Sequence, residues 1–273
     1  MTAAAVSHVP GGRYRFSQVA RMEWIKLRSL RSTGLTLLVT VAGTVGIGIA
    51  VLGSYRPEHF TQMSAAKRAE FDPTNMGLSG TLVAMLAMGI LGVLVMTGEY
   101  SSGMIRATLA AAPSRPLLLA AKAAVFGLAA LVVGEAVVFA NVLGGEAVLT
   151  STAPQASLGQ PAVLRATLLT GAFLALLGLV GLGLGAIVRH TAGAIATFVG
   201  GLFVVPMIVL MAGREAALDT FGRYVPMFIN ENSVGAVKPV ANALSPWAGI
   251  GVMCLYAAVA LGVGGWLLAR RDA

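Results

Sequence analysis

The chain has 273 residues, of which 57% are hydrophobic and only 11% charged, with a mean hydropathy of +0.83. Soluble domains carry roughly a quarter charged residues and disordered chains need low hydrophobicity, so both classes are excluded. The net charge of +8 would raise nucleic acid as a partner of a soluble chain, but in so apolar a sequence a membrane explains it better.

Residues 1–12 lack the basic region, apolar core and cleavage site of a removable leader. From Arg13 to Arg31, Phe16, Val19, Ala20, Leu27 and Leu30 share one stripe at 100° per residue, which predicts an amphipathic helix. Glu23 lies inside that stripe, where an acid loses hydration. It either meets protein or forms a local ion pair with Lys26, its i+3 neighbour. The first of six apolar stretches of bilayer-spanning length follows at 34–54 and is expected to be an uncleaved anchor. In the next connection Ser64 and Lys67 have the spacing of some acyl enzymes, but the companion motifs are missing, so this is read as a solvated outer loop.

The second stretch covers 78–97. Thr81, Met85, Met88, Gly89, Gly92 and Met96 fall within about 100° of one another, and Glu99 continues their line. Small residues let helices approach and methionines adapt to varied shapes, so this face is either ordinary packing or a dimer seam or hydrophobic substrate path. Segment 98–115 follows. There Ser101 or Ser102 can cap a short helix with apolar Met104, Ile105 and Leu109, Pro113 stops it, and Glu99, Arg106 and Arg115 charge its edges. Such a helix fits a groove on a soluble partner or lies on lipid headgroups.

The third stretch, 123–143, contains Glu135, an acid whose insertion costs about 2.5–3.5 kcal/mol and which is a functional candidate by default. No basic residue lies at matching depth, so a hydrogen-bonded structural role is favoured over proton coupling. The fourth and fifth stretches, 167–188 and 192–212, are separated by Arg189, His190 and Thr191. The fourth carries Gly181 and Gly185 as Gly-x-x-x-Gly, and the fifth has its own stripe of Gly193, Ala196, Gly200, Phe203, Met207 and Met211. Residues 213–248 form a long loop with Pro226, Pro239, Pro246 and the apolar run Val225 to Ile229. It is read as helical pieces dipping into the membrane or as a loop packed on a neighbouring subunit. The sixth stretch is 249–268 and a tail of 269–273 ends the chain. His190 and Cys254 are read as interfacial and buried, without chemistry.

With six spans, the even connections and both ends hold twelve Lys and Arg, the odd connections seven. The positive-inside rule then puts both termini in the cytoplasm. An ATP-hydrolysing loop needs a Gly-Lys pair to hold phosphates, and none exists. Three scattered histidines, His8, His59 and His190, give no zinc-protease motif, and one cysteine gives no disulfide framework or cysteine cage. No catalytic residue, metal or nucleic-acid partner is therefore expected.

Two stretches carry a resemblance. Glu23-Trp24-Ile25-Lys26-Leu27-Arg28-Ser29-Leu30-Arg31-Ser32 and the segment from Gly98 to Arg115 resemble those of ABC-2 type transporter permeases. The second follows that family's Glu-x-x-x-Gly-Thr-x-Arg-x-x-Leu and Pro-x-Ser-Arg pattern, with Met104 in place of Thr and one residue fewer in Pro113-Ser114-Arg115. The resemblance implies an all-α integral membrane protein of six transmembrane helices, with 1–33 as a cytoplasmic tail and amphipathic connecting helix and 98–115 as a coupling helix. It implies that Glu23, Lys26, Glu99, Tyr100, Gly103, Arg106, Pro113, Ser114 and Arg115 meet a separate ATPase subunit, which would bind ATP and magnesium; this chain would bind neither. It further implies two such ATPases, a second permease copy or a homologue, and a second and fifth helix bordering the central path. The function so implied is export of a hydrophobic or amphiphilic compound through the plasma membrane. The rivals are a proton-coupled carrier using Glu135 and a membrane scaffold that anchors a cytoplasmic partner.

Overall fold

The computed structural model describes residues 15–29, 31–54, 64, 78–111, 114–148, 157–211, 222–230 and 243–270. Among these the chain is helical, without strands. In order come α1 (Phe16–Ser29), α2 (Arg31–Gly53), α3 (Thr81–Ser101) after a 3-10 turn Leu78–Gly80, α4 (Met104–Ala111) and α5 (Arg115–Val148). Then follow α6 (Pro161–Val188), α7 (Thr191–Val199), a π turn Gly200–Val204, α8 (Val205–Met211), a 3-10 turn Gly222–Tyr224, the single turn α9 (Pro226–Phe228) and α10 (Pro246–Arg270).

Five helical stretches are long and apolar enough to cross a membrane: Leu78–Ser101, Arg115–Glu146, Pro161–Val188, Thr191–Ile208 and Pro246–Arg270. This is the build of a membrane protein. In α2, by contrast, the apolar helical run among the described residues is Thr40–Val51.

The core lies between α3 and α6, which glycines bring together. A Cβ on Gly92 would stand 2.0 Å from the Gly178 carbonyl oxygen, and one on Gly181 would stand 2.1 Å from that of Gly89. Gly185 also faces α3, near the Val93 carbonyl and the Met96 side chain, so the Gly-x-x-x-Gly pair serves a crossing inside this chain. Thr81, Met85, Met88, Gly89, Gly92 and Met96 are all buried here, with Phe198 of α7 over Gly89. The α3 stripe thus fills the protomer's own core.

α10 packs on the other side of α6 through Met253, Ala257, Ala260 and Gly264. Cys254 points away from that face and is exposed, which corrects the expected burial. The chain reverses between α6 and α7 at Arg189, in the left-handed conformation at φ 59°, and His190 Nδ1 accepts a bond from the Gly193 amide at 3.2 Å.

Pro206 has no amide hydrogen to give, and the helix upstream of it widens into the π turn, where the Val205 amide bonds to Gly200 O. Beyond this break Met207 and Met211 are exposed, and among the described residues outside its own helix turn nothing lies within 4 Å of a Cβ built on Gly200. Ile229, just after α9, is fully buried in the main core, and the Tyr224 carbonyl accepts a bond from Tyr256 Oη at 2.9 Å. Tyr256 lies ten residues, about 15 Å, into α10. The 222–230 segment therefore reaches down between the helices.

Candidate functional site

α5 starts at Arg115, eight residues before the apolar stretch expected from position 123. Its 34 residues make a rod of about 51 Å, longer than a bilayer core of about 30 Å. The extension is held by packing. Leu118 and Ala121 bury against Val19 of α1 and Ile105 of α4, with Met22, Leu109 and Leu117 around them. Val19 is buried as the stripe predicts, but Phe16 is 47% exposed because this small core is filled without it. Leu30 and Pro113 lie outside the described residues.

Where α3 ends, Ser101 and Ser102 do not cap α4. Both hydroxyls donate back to the Gly98 carbonyl, at 3.2 and 2.7 Å, because the last carbonyls of a helix need donors. Gly103 then adopts φ +70°, a left-handed value that favours glycine, and turns the chain into α4. α4 buries Ile105 and Thr108, leaving Met104 and Arg106 exposed.

These helices assemble a buried charge cluster. Lys26 donates to Glu23 at 3.0 Å, to Glu99 at 2.9 Å and to the Thr108 hydroxyl at 2.9 Å. Lys122 donates to the other oxygen of Glu23 and, at 2.7 Å, to Glu99 Oε1. Glu23, Glu99, Thr108 and Lys122 are each no more than 5% exposed. Both sequence readings of Glu23 hold at once: it forms the local pair with Lys26 and meets a residue of another helix. Burial works against the Lys26 charge, but the adjoining Glu99 and Glu23 carboxylates outweigh it and hold its pKa above the ordinary lysine value. Burying two acids and two bases is tolerable because each charge has an opposite partner at hydrogen-bond distance.

Lys122 and Thr108 were not among the sequence candidates. Lys122 counts in the charge asymmetry but sits between alanines at the edge of an apolar stretch, with no spacing that ties it to Glu23 or Glu99. The available signal was stoichiometric: two acids on apolar faces and one lysine to serve them.

Tyr100 and Arg115 are placed nearby but otherwise engaged. Arg115 donates to the Leu268 carbonyl at 2.9 Å and Arg189 to that of Leu267 at 3.1 Å, so the two guanidiniums meet the carbonyl end of α10, where positive charge is favoured. The Arg189 guanidinium also lies 5.4 Å from the centre of the Tyr100 ring. Ser114, exposed, precedes α5, and its carbonyl accepts from the Leu118 amide.

Glu135 is elsewhere, half-buried in α5 opposite Gly171 of α6, where a Cβ would stand 2.4 Å from its carboxyl carbon. Among the described residues its buried Oε2 has no hydrogen-bond partner, so this oxygen does not make the bond expected of a structural acid.

No protein-family model and no curated protein matches the chain. The site therefore has to be read from its own geometry.

Proposed function

We propose that this chain is the membrane subunit of an ATP-driven exporter of hydrophobic or amphiphilic compounds: a six-span permease with both termini in the cytoplasm, paired with a second permease and served by two separate ATPases. The observation that supports this reading is the cluster of Glu23, Lys26, Glu99 and Lys122 with Thr108. It ties a short helix with an exposed outer face to two long apolar helices at one end of the bundle. A push on α4 would pass through the hydrogen bond between Thr108 and Lys26 into the ionic contacts that join α1, α3 and α5. ATP and magnesium belong to the partner in this scheme. The exposed fifth-span residues Met207 and Met211, with Gly200 and Phe203 half-buried beside them, are the side offered to the second permease.

The test reverses an exposed charge on α4. Arg106→Glu should weaken capture of the purified ATPase or abolish substrate-stimulated hydrolysis in reconstituted vesicles, with Arg68→Glu as control. Equal capture and stimulation by both variants would sink the coupling role. One observation favours a second reading, a proton-coupled carrier: the Glu135 oxygen without a partner in the notch left by Gly171. Transport that persists with no ATPase present would select it.

A further inference from the structure

Leu128, Val132, Glu135 and Leu143 fall within about 80° of one another around α5. The three apolar members are 64%, 62% and 52% exposed, so Glu135 starts from the outer face of that helix, beside acyl chains in a membrane. It is also deep. Along α5, Lys122 lies 13 residues, about 20 Å, to one side and Glu146 lies 11 residues, about 16 Å, to the other. On α6, exposed Leu168 stands about one turn from Gly171 and continues the apolar surface.

The carboxyl does not project straight outward. It leans back across the groove between α5 and α6 onto Gly171, where a Cβ would stand 2.4 Å from the carboxyl carbon, so a larger residue would displace it. Oε2 is thereby buried, whereas Oε1 is not sealed in, and among the described residues neither oxygen has a hydrogen-bond or ionic partner. Nearby hydroxyls offer nothing: Thr167 and Thr170 donate to the Val163 and Ala166 carbonyls of their own helix, at 2.8 Å each. Arg165 stands six residues, about 9 Å, from Gly171 along α6 and makes no ion pair with Glu135. What the acid lacks is a positively charged donor. An anion would be repelled, and an uncharged compound would leave a carboxylate unpaired in apolar surroundings. Leucine and valine on either side suit an apolar body.

We propose that the groove at Glu135 binds a lipophilic ammonium compound, its N–H donating to Glu135 Oε1 and its apolar body lying along Val132 and Leu168. This names the substrate class of the transporter proposed above and rests on that reading. Binding is measured without ATP or an ATPase, so the two fail separately.

The experiment measures saturable binding of tritiated imipramine, propranolol and dodecylamine to the full chain in phosphatidylcholine nanodiscs at neutral pH, corrected for empty nanodiscs. At least one of these protonated amines should bind, and uncharged iminodibenzyl, which has the rings of imipramine without its amine, should not displace it. Glu135→Gln should lower the affinity about tenfold, the scale of one charge-assisted hydrogen bond. Val132→Lys, three residues before Glu135, supplies an ammonium from the chain itself and should do the same, which keeps the test decisive if Glu135→Gln fails to fold. No saturable binding of any of the three amines, displacement by iminodibenzyl, or full affinity in either folded variant would overturn the proposal. Disulfide crosslinking of Val132→Cys between two copies would also overturn it, by giving the groove to a neighbouring subunit. Amine binding in a chain that shows no ATP-driven transport would uphold the site and remove the exporter reading.

Discussion

Glu99 takes two lysine hydrogen bonds on one oxygen, and that asymmetry sets the chemistry of the whole junction. A buried ion cluster seldom adds net stability over an apolar equivalent, but removing one member is expensive because its partner stays buried. Lys122→Met leaves Glu23 and Glu99 facing Lys26 alone and should destabilise the protein by about 3–5 kcal/mol. Adding Glu23→Gln should recover part of that loss, because one orphaned negative charge goes with it. Thermal unfolding in mild detergent compares the parent, the single and the double variant. A single variant that melts with the parent would mean that the cluster holds nothing together.

At the scale of elements, the α3–α6 crossing depends on backbones in contact where glycines face each other. Gly181→Ala places a methyl against the Gly89 carbonyl and should lower the melting temperature by an amount equivalent to about 1–3 kcal/mol. Gly262→Ala in α10, where no described residue outside its own helix turn lies within 4 Å of the added methyl, should be neutral or raise it, since alanine is the better helix former. Matching responses at the two positions would show that the close approach is not a constraint. The same geometry corrects how Gly92 is understood: a bulky residue there strikes Gly178 of its own chain before it reaches any partner. α5 follows a different rule, since its first two turns leave the apolar span and are held by α1 and α4 through Leu118 and Ala121.

For the whole molecule, most of the basic residues gather at one end: Lys26, Arg106, Arg115, Lys122, Arg189 and Arg270 lie on the α3–α4, α6–α7 and α10-terminal side, while Arg165 lies near the opposite end of α6. Glu146, which accepts the Leu158 amide at 2.9 Å, lies toward the other. With Cys254 replaced, a cysteine at Ser64 or Ser157 should label from outside intact cells and one at Ser102 only after permeabilisation. Labelling of Ser102 from outside would reverse the orientation and remove α4 from the cytoplasm. In the same background, a cysteine at exposed Met211 should crosslink between two copies if the fifth span forms the seam, and its failure to do so in a dimer would move that seam elsewhere.

Helical class, membrane character, the short α4 and the break at Arg189 to Thr191 were legible in the residues, because hydropathy, helical period and turn chemistry are local properties. Glu23 and Glu99 were legible as acids on apolar faces, though not as one site. Composition also showed the methionine and glycine stripes. It could not say that the α3 stripe faces α6 while the fifth-span stripe remains open, since any helix contact selects small residues. Only the tertiary structure brought Lys122, 99 residues from Glu23, to the same carboxylate. It also turned Ser101 and Ser102 back to α3 and set Arg115 and Arg189 on the end of α10. Those outcomes depend on which buried charge and which orphaned carbonyl meet once the helices pack, and that pairing is a property of the assembled bundle.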